Sequence, residues 1–116
     1  MGKRKTSIYA VDFDGTLCEY AWPGIGAMNY KLIRTLIALR AKGDKVILWT
    51  CRVGDKLDEA VEWCKARGLE FDAINENLPE IVEEFGCDSR KIFANVYIDD
   101  RAVDPDLKFN RFALEV

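Results

Sequence analysis

The sequence predicts an α/β fold, a three-layer α/β/α sandwich on a parallel sheet of about five strands, formed as one domain over residues 1–116. Three observations carry this expectation. Apolar runs with little polar alternation recur at Ile8 to Phe13, Val46 to Trp49 and Ala94 to Ile98, as in strands covered on both faces. Segments of helical period lie between them. Each run also stops abruptly in polar groups, at Asp12-Phe13-Asp14-Gly15, Thr50-Cys51-Arg52 and Asp99-Asp100. In sheets built from β-α-β units, working groups gather at the carboxyl ends of the strands, so the three motifs converge on one rim.

The elements follow in order. Ile8 to Phe13 reads as a central strand, and a glycine-containing connection through Trp22-Pro23-Gly24-Ile25-Gly26 follows it. Asn29 to Lys42 places Leu32, Ile33, Leu36, Ile37 and Leu39 at helical spacing, with Gly43 as the stop. Lys45 to Thr50 is a second buried strand. A second helix starts near Asp55, carries Leu57, Ala60, Val61 and Cys64 on one face and ends at Gly68. Phe71 to Ile74 is a short third strand. Pro79, suited to a first helical turn, opens a short helix through Phe85. Ala94 to Ile98 is the next strand, and the stretch from Asp104 onward is ambiguous, with a last short strand around Phe112 to Leu114.

Composition removes most competing chemistries. The chain has no histidine, so a Ser-His-Asp triad, a Cys-His pair and His-liganded zinc are excluded. A cysteine phosphatase loop wants Arg six residues after Cys, whereas Cys18, Cys51, Cys64 and Cys87 are followed at that distance by Gly24, Leu57, Glu70 and Phe93. The four cysteines are scattered and never form Cys-x-x-Cys. They read as free, small buried fillers in a reducing cytoplasm. Net charge is −3, which offers no general field for nucleic acid, and Lys3-Arg4-Lys5 reads as a solvated tail. No apolar run reaches the ~18 residues that span a bilayer.

What remains is carboxylate chemistry. Asp12 and Asp14 stand two apart, so their side chains point the same way if strand geometry persists, while Gly15 permits a sharp turn. Paired acids repel, and a hard divalent cation relieves the repulsion; an all-oxygen set drawn from Asp12, Asp14, Asp99 and Asp100 suits Mg2+. Such a site suits a phosphate ester, on a small molecule or exposed on a macromolecule. Asp12 would attack phosphorus and Asp14 would protonate the leaving oxygen and later activate water. Thr50 offers a hydroxyl to the phosphate and Lys91 is the best-placed lysine, with Arg52 or Lys65 as substitutes. Gly15 and Thr16, at the turn of the first motif, join Thr50, Lys91 and Arg52 as phosphate- or substrate-binding candidates.

Val11-Asp12-Phe13-Asp14-Gly15-Thr16 resembles the first motif of the haloacid dehalogenase superfamily, Thr50 its second and Asp99-Asp100 its fourth. The resemblance implies a Rossmann-like sheet and a phosphatase in which Asp12 is nucleophile, Asp14 acid and base, and Thr50 the phosphate holder. It assigns the late acidic pair to magnesium, with Asp100 the inner ligand. It also implies a capless domain, since Leu17 to Met28 and Asn75 to Ala94 are too short for the usual insertions. Capless relatives take large substrates or borrow a neighbouring subunit of a homo-oligomer as a lid.

Rival readings remain. A phosphotransferase or mutase of the same superfamily differs only in the acceptor. A signalling receiver expects its acceptor Asp at the end of the third strand, where Asn75 stands. A calcium loop wants Glu at its twelfth position, where Pro23 stands. A silent phosphate-binding module is the remaining rival. Arg52 and Arg101 could bind substrate anion or balance nearby carboxylates. Asn75 and Asn77 read as turn residues, Trp22 as a surface-packed ring that could also stack on a substrate ring, and Trp49 and Trp63 as core or half-buried.

Overall fold

In the computed structural model, residues 6–101 are described. They form four parallel strands and three helices, β1 (Ile8–Val11), α1 (Tyr30–Ala41), β2 (Lys45–Leu48), α2 (Gly54–Ala66), β3 (Ala73–Ile74), α3 (Pro79–Phe85) and β4 (Val96–Ile98). The strand order is β3-β2-β1-β4. The chain is thus α/β with a parallel sheet, as the apolar runs predict, but with four strands among the described residues rather than five. The strand expected at Phe112 to Leu114 lies outside the described residues.

The alternation of side chains along the strands divides the core in two. Val11, Phe13, Val46 and Leu48 face one layer and pack with Ile33 and Leu36 of α1 and Ala60 and Cys64 of α2. Ile8, Ala10, Ile47 and Ala73 face the other, against Leu78, Ile81 and Ile92. β1 and β2 therefore bury both faces, which explains the absence of polar alternation in them, whereas Val96 and Tyr97 of the edge strand β4 are exposed. The sequence also fixes where α1 begins and where α3 stops. The Asn29 side chain accepts from the Leu32 backbone at the start of α1, a standard N-cap bond. Gly86 closes α3 in the left-handed region, with Pro79 in the first turn.

The two early crossovers step in one direction, β1 to β2 to β3, and with crossovers of one hand this puts α1 and α2 on the same face. From β3 the chain jumps back across the sheet to β4, on the far side of β1, and α3 covers the opposite face. Strand order therefore reverses between β1 and β4. A crevice forms at the carboxyl ends of strands at such a reversal, which is where Asp12 and Asp99 emerge.

The strands are shorter than the apolar runs that predicted them. Trp49 still donates to the Val11 carbonyl at 2.8 Å and Asp12 to the Ile98 carbonyl at 3.0 Å, but the chain then turns. The amides of Thr16, Leu17 and Cys18 all converge on the Phe13 carbonyl. Phe13 and Leu17 are fully buried, so burial, not pairing, extends the apolar run past the strand.

Candidate active site

The turn after β1 separates the two acids of the first motif. Asp12 continues the strand and its carboxylate gathers with those of Asp99 and Asp100, one oxygen from each lying within 4.8 Å of the others. Asp12 is half-buried and the other two are exposed. Burial pushes the Asp12 carboxyl from its ordinary 3.8 to about 6; the charges of Asp99, Asp100 and Asp14 add to the rise, against a hydrogen bond from the Phe13 backbone. Among the described residues no lysine or arginine pairs with these three acids. Three hard oxygen donors without a counter-charge suit a divalent cation bound through oxygen.

Asp14 stands apart from that cluster, which corrects the expectation that its carboxylate joins the metal set. Strand geometry does not persist beyond Asp12, so the two side chains diverge. Both Asp14 oxygens accept from Arg52, from Nε at 2.9 Å and Nη2 at 2.7 Å. Arg52 has a side chain only 1% exposed. Its remaining bonds run to the Gly24 carbonyl at 2.8 Å and the Lys56 carbonyl at 3.3 Å. Its guanidinium carbon lies 4.9 Å from the ring centroids of both Phe13 and Trp22. Hydrogen bonding to Asp14 holds the guanidinium above its ordinary value. Arg52 thus balances a nearby carboxylate, one of the two roles the sequence suggested for it, and also lines the cavity.

Gly15 and Thr16 shape the cluster. Gly15 has φ +81°, which favours glycine, and a Cβ there would lie 2.4 Å from Asp100 Oδ2, so any side chain would push the Asp100 carboxylate aside. Thr16 is buried and its hydroxyl accepts from the Asp100 backbone at 3.2 Å. It positions the late acidic pair.

Thr50 follows β2 on the same rim. Its hydroxyl accepts from the Arg52 amide at 3.1 Å, and its own amide donates to Asn75 Oδ1 at 2.8 Å. Asn75 adopts φ +55°, a left-handed conformation that asparagine tolerates better than most residues. It is more than a turn residue, since it pins the Thr50 backbone from β3. Its signal in the sequence is an Asn at a strand end facing a polar strand end.

Lys91 is not at the site. Asn77, buried, donates to Asp88 Oδ1 at 2.8 Å and the Ser89 carbonyl at 3.2 Å and accepts from the Phe93 amide at 2.7 Å. These bonds draw the segment before β4 toward α3. Lys91 Nζ lies 5.6 Å from the Tyr97 ring centroid, beside a second hollow that includes Ile81 and Phe85. Arg101, by contrast, lines the cavity that holds Asp12, Asp14, Thr50, Arg52 and Asp99. That cavity, about 600 Å³, is also lined by Tyr20, Trp22, Trp49, Cys51 and Asn75.

Only two of the four cysteines are buried fillers. Cys18 and Cys64 are buried, whereas Cys51 and Cys87 are exposed, and all four are free. Burial pushes the Cys64 thiol up to about 12, which makes it inert. Trp49 and Trp63 are half-buried and pack on the two core layers. No described helix is long and apolar enough to cross a membrane.

Fold and site together define a parallel α/β protein with an acidic, oxygen-rich centre at a strand-order reversal. No family model matches the chain, and no curated protein matches it. Among solved structures it is similar to one described as the conserved protein coded by locus from Bacteroides thetaiotaomicron, at 41% identity and a TM-score of 0.75, over 97% of this chain and 93% of that one. The chain belongs to the family of that conserved protein.

Proposed function

We propose that this protein is a magnesium-dependent phosphomonoesterase of the haloacid dehalogenase superfamily, without a cap, acting through an aspartyl-phosphate on Asp12. The observation that carries the reading is the cluster of Asp12, Asp99 and Asp100, without a cationic partner among the described residues, on one rim with Thr50 and Asp14. Magnesium, held by the Asp12, Asp99 and Asp100 carboxylates, would supply the positive charge that lets a dianionic phosphate approach the acids.

The chain's own groups divide the rest of the chemistry. An Asp12 oxygen attacks phosphorus as the ester P–O bond breaks, and the leaving oxygen takes a proton from Asp14. Water then attacks the same phosphorus, Asp14 takes the proton, and the bond to Asp12 breaks to release inorganic phosphate. The Arg52 fork aims Asp14, and proton delivery requires one Asp14 oxygen to leave that fork. Thr50, fixed by Asn75, offers its hydroxyl to a non-bridging phosphate oxygen. Arg101 takes over the cationic role that the sequence suggested for Lys91.

Hydrolysis of an aryl phosphate tests this. Turnover is expected with magnesium, none with chelator, and none in Asp12→Asn with the circular dichroism spectrum unchanged. Full activity of that variant would remove the mechanism.

A further inference from the structure

The acids occupy only part of the cavity; three large aromatic residues, Tyr20, Trp22 and Trp49, line it with them. Tyr20 is 63% exposed and Trp22 48%. An exposed ring alone is ordinary. What sets these two apart is the rigidity of the segment that carries them. Between β1 and α1, Glu19 donates to the Ala27 carbonyl at 2.8 Å, Gly24 to Ala21 at 2.8 Å and Asn29 to Leu17 at 2.8 Å. Gly26 allows the two legs to close, since a Cβ there would lie 2.3 Å from the Glu19 carbonyl oxygen. Arg52, buried, ties the segment to the core through the Gly24 carbonyl and sits against the Trp22 ring. The protein thus holds two large rings in water at the mouth of its site, on a segment fixed from below. Such preorganised aromatic surface binds with little loss of conformational freedom.

The lining argues for what the rings receive. Asn75 Oδ1 is engaged by the Thr50 amide, both Asp14 oxygens by Arg52, and Arg52 has bonds on four of its five N–H groups. A planar ring asks for a flat apolar face, which the two exposed rings at the mouth supply. Resting on the phosphomonoesterase reading, we infer that Tyr20 and Trp22 form a stacking wall that selects phosphomonoesters whose alcohol portion carries a planar ring, a nucleobase or a phenol.

The test compares two pairs of substrates. Adenosine 5′-monophosphate and ribose 5-phosphate share one reacting centre. Phosphotyrosine, an aryl ester, also has a better leaving group than phosphoserine, so for that pair the loss of the ratio in the Tyr20 variant is the deciding readout. Adenosine 5′-monophosphate is expected to exceed ribose 5-phosphate in kcat/KM by tenfold or more, or phosphotyrosine to exceed phosphoserine by the same margin; which pair separates identifies the ring. Tyr20→Ala and Trp22→Ala are each expected to collapse that ratio toward one. Tyr20 has no side-chain hydrogen bond or ring contact among the described residues, so its variant reports stacking even if Trp22→Ala disturbs Arg52. No ring preference in either pair, or equal loss on both members of a pair in the Tyr20 variant, overturns the inference. Calorimetric titration of Asp12→Asn with the same compounds separates this from the parent reading. Ring-dependent binding without turnover in the wild type would sustain the wall and remove hydrolysis. Turnover without ring dependence would do the reverse, and the absence of both would remove both.

Discussion

Replacing Arg52 by methionine tests the central structural claim, that a buried guanidinium holds the first motif and the β1 to α1 connection together. The substitution keeps much of the side-chain volume and removes the fork. It leaves Asp14, with a side chain 17% exposed, without its partner. Removing one member of a buried pair costs about 3–5 kcal/mol, mostly through the charge left behind. Partial exposure lets water reach Asp14 and moves the figure to the low end. Two further bonds to carbonyls, at 2.8 and 3.3 Å, and two ring contacts at 4.9 Å are also lost, at about 1 kcal/mol each or less. The expected loss is roughly 4 kcal/mol, within the 5–15 kcal/mol typical of a domain, so the variant stays folded at 25 °C.

Urea unfolding with linear extrapolation reads this directly, provided the slope is unchanged. Asp14→Asn, which keeps a hydrogen-bonding side chain beside Arg52, is expected to cost about 1–3 kcal/mol. The double variant is expected to cost about 2 kcal/mol less than the sum, since the two groups act on each other. Additivity within about 0.5 kcal/mol, or an Arg52→Met loss below about 1 kcal/mol, would refute the pairing as a stabilising element.

Asp12→Asn is expected to stabilise the metal-free protein at pH 7.5 while removing turnover. The folded carboxyl, at about 6, holds its proton above the unfolded value, so stability is fully present below about pH 4 and declines as pH rises through about 6. The shift corresponds to ~3 kcal/mol, reduced to about 1–2 by the group's exposure; thermal melts of wild type and variant at pH 4 and 7.5 check the sign. Magnesium is expected to raise the wild-type melting temperature at pH 7.5 and to do little at pH 5, where a proton competes for Asp12; equal shifts would take Asp12 out of the cation site. Gly15→Ala, with its Cβ against Asp100 and φ +81°, is expected to abolish the magnesium shift and turnover together. Asn75→Ala is expected to destabilise more than Asn75→Gly in urea, because glycine keeps the φ +55° turn and loses only the bond to Thr50.

The parallel sheet was legible because β1 and β2, which bury both faces, write themselves as unbroken apolar runs, and the apolar run of β4 continues into an edge strand whose Val96 and Tyr97 are exposed. Asp12, Asp99 and Thr50 were legible for the same reason, as the first polar groups after those runs. Asp14 was not, because its direction depends on whether the chain stays extended past Asp12. Three amides folding back on the Phe13 carbonyl decide that, and no residue pattern announces them. Lys91 was misplaced because distance along the chain stood in for distance in space. The three bonds of the Asn77 side chain set that segment's path, and a single Asn after a short strand gives no warning of it. Tyr20 was missed because one exposed aromatic in a connection carries no period, and its meaning comes from the anchored segment beneath it.

The charges at the rim divide into two groups with different consequences. Asp14 has its own cation, buried and geometrically matched, so its position is set before any ligand arrives. Asp12, Asp99 and Asp100 have none among the described residues. Like charges about 4 Å apart repel by ~1 kcal/mol in water and by ~4 at the effective dielectric of a protein surface. The carboxyl raised to about 6 is the one buried beside the other two. A phosphate dianion brought to Asp12 would add to that repulsion, with Arg52 largely engaged and Arg101 exposed. On the proposed reading, the cation therefore does two jobs at one place. Held by these carboxylates, it would favour the ionised form of Asp12 and would offset the charge of an incoming phosphate. Among the described residues these acids have no cationic partner, at a cost in stability, while Asp14 is paired with Arg52; on the proposed reading the group that handles the proton is placed in advance and the site of attack depends on what binds there.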